Sequence, residues 1–377
     1  MTATILVGPE TSIQNTDNNP RGMDFNVYEL EPSAVPLTVL LETMGSVPAT
    51  NPKQEWLQDE GMPYITTLSA SALSSATAFG VAADIFRVGD VVRFPALGYG
   101  VLVTVTGAGG ISGTIIGTPV SAASGAEVFL VSNANAELAT IRELKFTQLT
   151  TDYNYCQIIR TPFGVSTTEM GMQHYGCPER DRLTKHFGIE HAKNLERNFW
   201  FGLRSINSVT RTAAGAQSYI TTNVTNDSGG LTEGEFQTFL RTGFRYGART
   251  KTLFCSPTAI SAIEAFARAN ITVPQPDHGD VYGIKMKQYT SGQGDVMLVS
   301  HVDWQDSSVY GGFAFLMDLD SPIRARPLQN VGQTQLLRNR QAPDYDGVKD
   351  EFRSETCLQL VSERRSALLT GITAPAG

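Results

Sequence analysis

The chain has 377 residues, 41% of them hydrophobic and 18% charged, which suits a folded protein of two or three ordinary domains and excludes a disordered polymer. Its 37 acidic residues outnumber 29 basic ones, for a formal net charge of -8, the opposite sign to a protein that grips phosphates. That balance speaks against a DNA-binding enzyme but not against a container whose inner wall should repel a genome. The four cysteines, Cys156, Cys177, Cys255 and Cys357, are scattered, have no zinc-site spacing, and are expected to be reduced thiols of a cytoplasmic product.

Residues 1 to about 24 are polar and lack a hydrophobic period, as expected of an extended arm that cannot bury itself on its own chain. They do not resemble a signal peptide, and no apolar run reaches membrane-spanning length, so no membrane is expected as a partner. From Phe25 to Glu60 short apolar clusters are punctuated by Pro32, Pro36, Pro48 and Pro52, with Trp56 as a packing anchor. Between Arg93 and Glu127 no charged residue occurs. Here β-branched runs at Val91 to Phe94, Val101 to Thr106, Ile111 to Ile116 and Glu127 to Val131 alternate with glycine turns, predicting a small β barrel or sandwich. Segments Met62 to Ser69 and Leu144 to Ile159 would pair as two long strands flanking this insertion.

A long amphipathic helix is predicted over about 178–202. Pro178 suits its first position, Glu179 and Asp181 place negative charge in its first turn, and Gly202 ends it. Leu183, Phe187, Leu195 and Phe199 form its apolar stripe. Asp181 and Lys185, four apart, are expected to pair on its solvent side. An α/β region follows over 222–326. Its first helix opens on a capping box, Thr232 with Glu235, stapled by Leu231 and Phe236; its second opens on Ser256-Pro257 and buries Ile260, Ile263 and Phe266. Strands are expected at Gly283 to Tyr289, Val296 to His301 and Phe313 to Asp318. The last segment, Val348 to Val361, alternates in polarity and reads as a long, half-exposed strand packed beside the long helix.

No catalytic motif emerges. His186 and His191 are five apart, roughly 140° around a helix, so they cannot share a metal, and they read as solvated or interface histidines. The stretch from Gly107 to Gly113 lacks the third glycine and the following helix of a dinucleotide loop and reads as a hairpin turn. His301 with Asp303 reads as a chance pair. No catalytic residue, metal or cofactor is assigned.

Two stretches carry a family resemblance. One runs from Pro36-Leu37 to Ala49-Thr50-Asn51-Pro52-Lys53-Gln54-Glu55-Trp56. The other comprises Gln157-Ile158-Ile159, Val165-Ser166-Thr167-Thr168, and Gly176 through Glu196 to Gly202. With the order of parts, they resemble the tailed-bacteriophage major capsid protein of the Hong Kong ninety-seven type, in a subgroup with a small β domain in its extended loop.

The resemblance implies an α+β fold. Its parts would be an N-arm (1–35), a first piece of the peripheral domain (36–59), and an E-loop (60–160) with a β domain inserted at about 80–135. The peripheral domain would resume at 161–221 with the spine helix at about 178–202, an axial domain would occupy 222–326, and the C-terminal strand (327–377) would complete the peripheral domain. It also implies self-assembly into hexamers and pentamers of an icosahedral head enclosing double-stranded DNA without specific binding, and procapsid maturation with two arrangements of the spine helix and E-loop. The protein would reside in the virion after assembly in the host bacterial cytoplasm, alongside a separate scaffolding protein, a portal and, in some relatives, a decoration protein. Structural and assembly roles fall on Trp56, Leu183, Phe187, Glu190, Leu195, Glu196, Phe199 and Trp200. The inserted domain is expected on the outer surface, clamping neighbours through its uncharged stretch. Three other readings are weighed: an encapsulin-like compartment, a β-rich tail or adhesin binding protein, and an enzyme, which has only the His186 and His191 box in its support.

Overall fold

The computed structural model describes residues 35–107, 109–173, 177–227, 229–267, 271–272, 286–319 and 323–373. The expected N-arm, apart from Val35, and the first residues of the strand expected from Gly283 lie outside them. Leu57–Asp152 forms one compact unit and the rest of the described chain forms another.

Among its described residues the larger unit carries six α-helices: α1 (Pro36–Thr43), α2 (Thr167–Gly171), α3 (Glu179–Phe201), α4 (Ala216–Tyr219), α5 (Glu233–Gly243) and α6 (Pro257–Ala267). The helix α1 was not legible in the proline-rich stretch. Pro36 starts it by occupying the first turn, where its missing N–H costs nothing. The capping box of α5 is present in both directions, and Leu231 and Phe236 are buried in one core. Ser256 Oγ accepts the Ala259 N–H at 3.1 Å at the start of α6, where Ile263 is buried and Ile260 half-buried. The Phe266 side chain lies outside the described residues.

Two sheets organise this unit. The first has seven strands in the order Val224–Asn226, Ala367–Thr370, Ala314–Met317, Thr250–Cys255, Gly294–Ser300, Met286–Ser291, Ile271–Thr272. The Thr250–Cys255 strand runs parallel to Gly294–Ser300, a pairing that needs a crossover, and α6 lies in that connection. Alternation along this strand sends Phe254 into one core with Trp200 and Phe315, and Leu253 and Cys255 into a second core with Phe236, Phe239 and Ile263. Both faces are therefore covered, which explains why a run without polar alternation is a strand.

The second sheet is built on Gly347–Gln359. Gln157–Ser166 pairs along one of its edges; Arg324–Pro327 and Gln335–Leu337 share the other. The expectation of a half-exposed strand is corrected here: no residue from Asp350 to Gln359 is exposed. Its polar positions face partners rather than water, because the strand is central in its sheet and α3 packs on one side.

In the smaller unit, six strands follow the order Ile65–Thr67, Glu127–Asn133, Asp90–Phe94, Tyr99–Gly107, Gly110–Ile116, Ala78–Gly80. A bridge between Leu68 and Val81 joins the two outer strands, so the sheet closes on itself around Phe79, Phe86, Val92, Phe94 and Tyr99. Glycine is required at 113: a Cβ there would sit 2.0 Å from the Leu102 carbonyl oxygen of the neighbouring strand. The expected pairing of Met62 to Ser69 with Leu144 to Ile159 does not occur. Instead Lys53–Gln58 pairs with Thr150–Tyr155, Ile65–Thr67 joins the barrel, and Gln157–Ser166 joins the central strand of the larger unit.

Candidate assembly surface

The helix α3 spans Glu179–Phe201, within one residue of its expected bounds at each end. Gly202 follows it with φ -57°, so left-handed geometry is not the reason for glycine. A Cβ there would lie 2.5 Å from the Ala213 carbonyl oxygen; close backbone approach is the reason.

Glu196 aside, the side chains singled out in sequence separate into three groups. Trp56, Phe199 and Trp200 enter one core with Leu37, Leu40 and Leu41 of α1. Leu195 is buried and lines a cavity of about 320 Å³ with Thr38, Leu41 and Thr356. Phe187 is half-buried and stacks on Phe163, centroids 5.3 Å apart and planes within 5°; Leu183 is half-buried and Glu190 is exposed.

Glu196 is the hub. Its buried carboxylate accepts the Leu37 N–H at 2.9 Å, the Thr38 N–H at 2.7 Å, the Thr38 hydroxyl at 2.6 Å, the Trp200 indole N–H at 2.9 Å and His301 Nε2–H at 3.1 Å. The first two donors are orphan N–H groups of the first turn of α1, whose N-cap is Val35, a residue with no side chain able to cap. A carboxylate from another helix supplies the cap, helped by the positive end of the helix dipole.

His191 corrects the expectation of a solvated histidine. Its ring is buried, with Nδ1 2.9 Å from Thr161 Oγ1 and Nε2 2.7 Å from Ser354 Oγ, which in turn lies 2.8 Å from Thr334 Oγ1. Burial pushes its pKa below the usual histidine value. His186 is exposed. His301 and Asp303, read as a chance pair, go to different partners: His301 serves Glu196 and stacks on Trp304, while Asp303 pairs with Arg197 and Lys193. Asp181 and Lys185 are both exposed; Arg182 pairs instead with Glu179. The glycine-rich stretch is the hairpin between Tyr99–Gly107 and Gly110–Ile116, with Gly109 at φ +79°. Among the described residues no three His, Cys, Asp or Glu side chains are grouped to hold a metal, and no helix is long and apolar enough to cross a membrane.

The smaller unit presents the surface that sequence reasoning missed. Residues 134–149 form no regular strand or helix. Three of their polar side chains turn toward their own unit: Arg142 to Asp90 and the Val88 carbonyl, Lys145 to Asp84 and the Phe86 carbonyl, Thr147 to Asp59. Their apolar side chains face away. Leu138 is fully exposed, Ile141 91%, Leu144 85% and Phe146 88%. Four large apolar side chains left in water beside anchored polar ones are the mark of a surface made to be covered. The period of Leu138, Ile141 and Leu144 was visible in sequence, but only the contacts of Arg142 and Lys145 say which side faces out.

The chain is similar in fold to the capsid protein of a native GTA particle (TM-score 0.52, 8% identity, covering 97% of this chain and 100% of that one). A protein of Microbacterium phage Oxtober96 (TM-score 0.48, 10% identity, 97% and 99% covered) and the SrpI encapsulin complex of Synechococcus elongatus PCC 7942 (0.44, 13%, 60% and 78%) also match. No curated protein sequence matches the chain. The family model described as SU10 major capsid protein matches residues 10–373, and the chain belongs to that family. It is a structural protein of a bacteriophage capsid.

Proposed function

We propose that copies of this chain close into hexamers and pentamers by covering the 138–149 strip of one copy with another copy. The exposed Leu138, Ile141, Leu144 and Phe146, held outward by polar anchors on their own unit, carry this reading. A shell of identical subunits offers each such strip an equivalent neighbour. The apolar contact area thus follows the uncharged stretch instead of lying in it, because most large side chains of that stretch fill the barrel.

In this reading 1–35 act as N-arm, 36–59, 161–221 with α3 and 327–377 as peripheral domain, 60–160 as E-loop with the barrel as its inserted domain, and 222–326 as axial domain. The protein performs no catalytic step. It encloses double-stranded DNA without gripping it, which the net charge of -8 supports. A separate scaffolding protein and a portal complete the set of partners, and assembly takes place in the host cytoplasm before the capsid is released in the virion.

The test is a triple substitution, Ile141→Asp, Leu144→Asp and Phe146→Asp. Shell yield in electron micrographs should collapse while circular dichroism and melting of the unassembled chain stay within roughly 2 °C, since side chains already in water contribute little to folding. Wild-type shell yield from the triple variant would end the proposal.

A further inference from the structure

Cys156 and Cys357 lie 201 positions apart, and their sulfurs are 3.6 Å apart in a fully buried site walled by Ala49, Ala213 and Leu328. Their meeting is set by strand register. Gln157 pairs with Thr356 at the end of the long antiparallel ladder, and the next step of the same register sets Cys156 opposite Cys357. Directly opposed residues in such a ladder have Cα atoms about 4.5–5.5 Å apart, inside the span a disulfide needs. The Cys156 N–H is donated to the Pro52 carbonyl at 2.7 Å, so no backbone hydrogen bond between the two cysteines has to break.

We propose that this pair is a redox modification site, which a small hydroperoxide closes into a disulfide that staples the chain just after residue 152 to the central strand. The two thiols differ in readiness. The hydrogen bond shared with Cys357 holds Cys156 below the usual thiol range, whereas the same bond, together with burial, pushes Cys357 up. Cys156 is therefore the thiolate that attacks. Its sulfur takes one oxygen from the peroxide, cleaving the O–O bond and releasing hydroxide or alkoxide, and becomes a sulfenic acid. The Cys357 sulfur then displaces that oxygen as water, its own proton leaving with it. Two thiols lose two electrons, the peroxide gains them, and one S–S bond forms.

The molecule contains its own controls. Cys255 is buried with no second cysteine at hand, and burial pushes its thiol up. Cys177 is half-buried.

The experiment treats the full-length chain, free and assembled, with hydrogen peroxide, denatures it in an alkylating reagent, and maps the peptides by mass spectrometry. The expected result is a linked Cys156–Cys357 peptide, with Cys255 alkylated as a thiol. Closing a loop of about 200 residues should also raise the melting temperature by roughly 5 °C, reversed by a phosphine reductant. Alkylation of both cysteines when Cys177 is already oxidised would overturn the proposal. So would a Cys156 sulfinic acid with Cys357 still a thiol, or a linked peptide without the thermal shift. Because the map is read on the unmodified sequence, the outcome does not depend on whether Cys156→Ser folds.

Discussion

Glu196 and Thr38 are 158 positions apart, and one carboxylate oxygen of the first accepts both the backbone N–H and the hydroxyl of the second. This makes α3 the cap of α1, so the start of the described chain is fixed to the long helix by charge-assisted bonds rather than by apolar packing alone. Removing the carboxylate leaves buried donors on Leu37, Thr38, Trp200 and His301. Glu196→Ala should therefore cost about 3–5 kcal/mol of stability, and Glu196→Gln, which keeps one acceptor oxygen, about 1–3 kcal/mol. Urea unfolding of the unassembled chain measures both. An equal, small loss in the two variants would show that the hub adds nothing to the cores around it.

His191 gives stability a pH dependence of definite sign. Its folded pKa lies below the roughly 6.5 of an unfolded histidine, because burial opposes the imidazolium. Below pH 6.5 the unfolded chain binds the proton first, so stability is full above that pH and falls as pH drops below it. Neutral imidazole also suits its place between the hydroxyls of Thr161 and Ser354. Subtracting the pH profile of His191→Gln from that of the wild type should leave a curve flat above about 6.5 and declining below it. A difference curve flat through pH 5 would show that the ring stays charged or finds solvent.

Much of this frame could be read from residue order, and its failures share a cause. The long helix, the capping box of α5 and the barrel runs were legible because each rests on local chemistry: caps, a 3.6-residue period, glycine between β-branched runs. The burial of His191, the polar positions of Gly347–Gln359 and the role of Glu196 were not. Each depends in part on a partner more than a hundred positions away: Ser354 for His191, Arg180 for Asp350, and Leu37, Thr38 and His301 for Glu196. The strand Ala367–Thr370 was missed for the same reason: four residues become a strand only by pairing with Ala314–Met317 and Val224–Asn226. For the assembly strip, nothing in the local pattern says that Arg142 and Lys145 turn inward and leave the apolar side chains around them outside.

Lys251 offers a second titration, at alkaline pH. Its buried ammonium donates to the carbonyls of Gly243 and Tyr246 at 2.7 Å and of Arg365 at 2.5 Å, closing the C-terminal end of α5. Burial pushes its pKa down to about 8, opposed by the charge of Asp318. An unfolded lysine titrates near 10.4, so between about 8 and 10.4 the unfolded chain holds more protons and stability must rise with pH in that window. The stability advantage of wild type over Lys251→Met should therefore be larger at pH 10 than at pH 7. An advantage that shrinks with pH would mean the charge itself, rather than the hydrogen bonds, holds the three carbonyls.

Asp350 sits at the other end of the long helix. Its carboxylate is almost fully buried and takes two bonds from Arg180, Nε at 2.8 Å and Nη2 at 2.9 Å, and one from the Asn339 N–H at 2.8 Å. Burial alone would push its pKa up. The hydrogen bonds from Arg180 and Asn339 outweigh burial and hold it below the ordinary aspartate value. Its contribution is thus present above the unfolded value near 3.9 and lost as pH falls through the lower, folded one. Arg180→Met would leave a buried carboxylate with one backbone donor, a loss of about 2–4 kcal/mol at pH 7, with Arg180 partly in solvent and the upper end of the range for broken buried pairs therefore not reached. The double variant Arg180→Met with Asp350→Asn should recover part of that loss, because the unpaired charge rather than the missing arginine does the damage. Denaturant unfolding of the two variants at pH 7 decides it: a double variant no more stable than the single one would assign the cost to lost arginine packing and remove the carboxylate from the account.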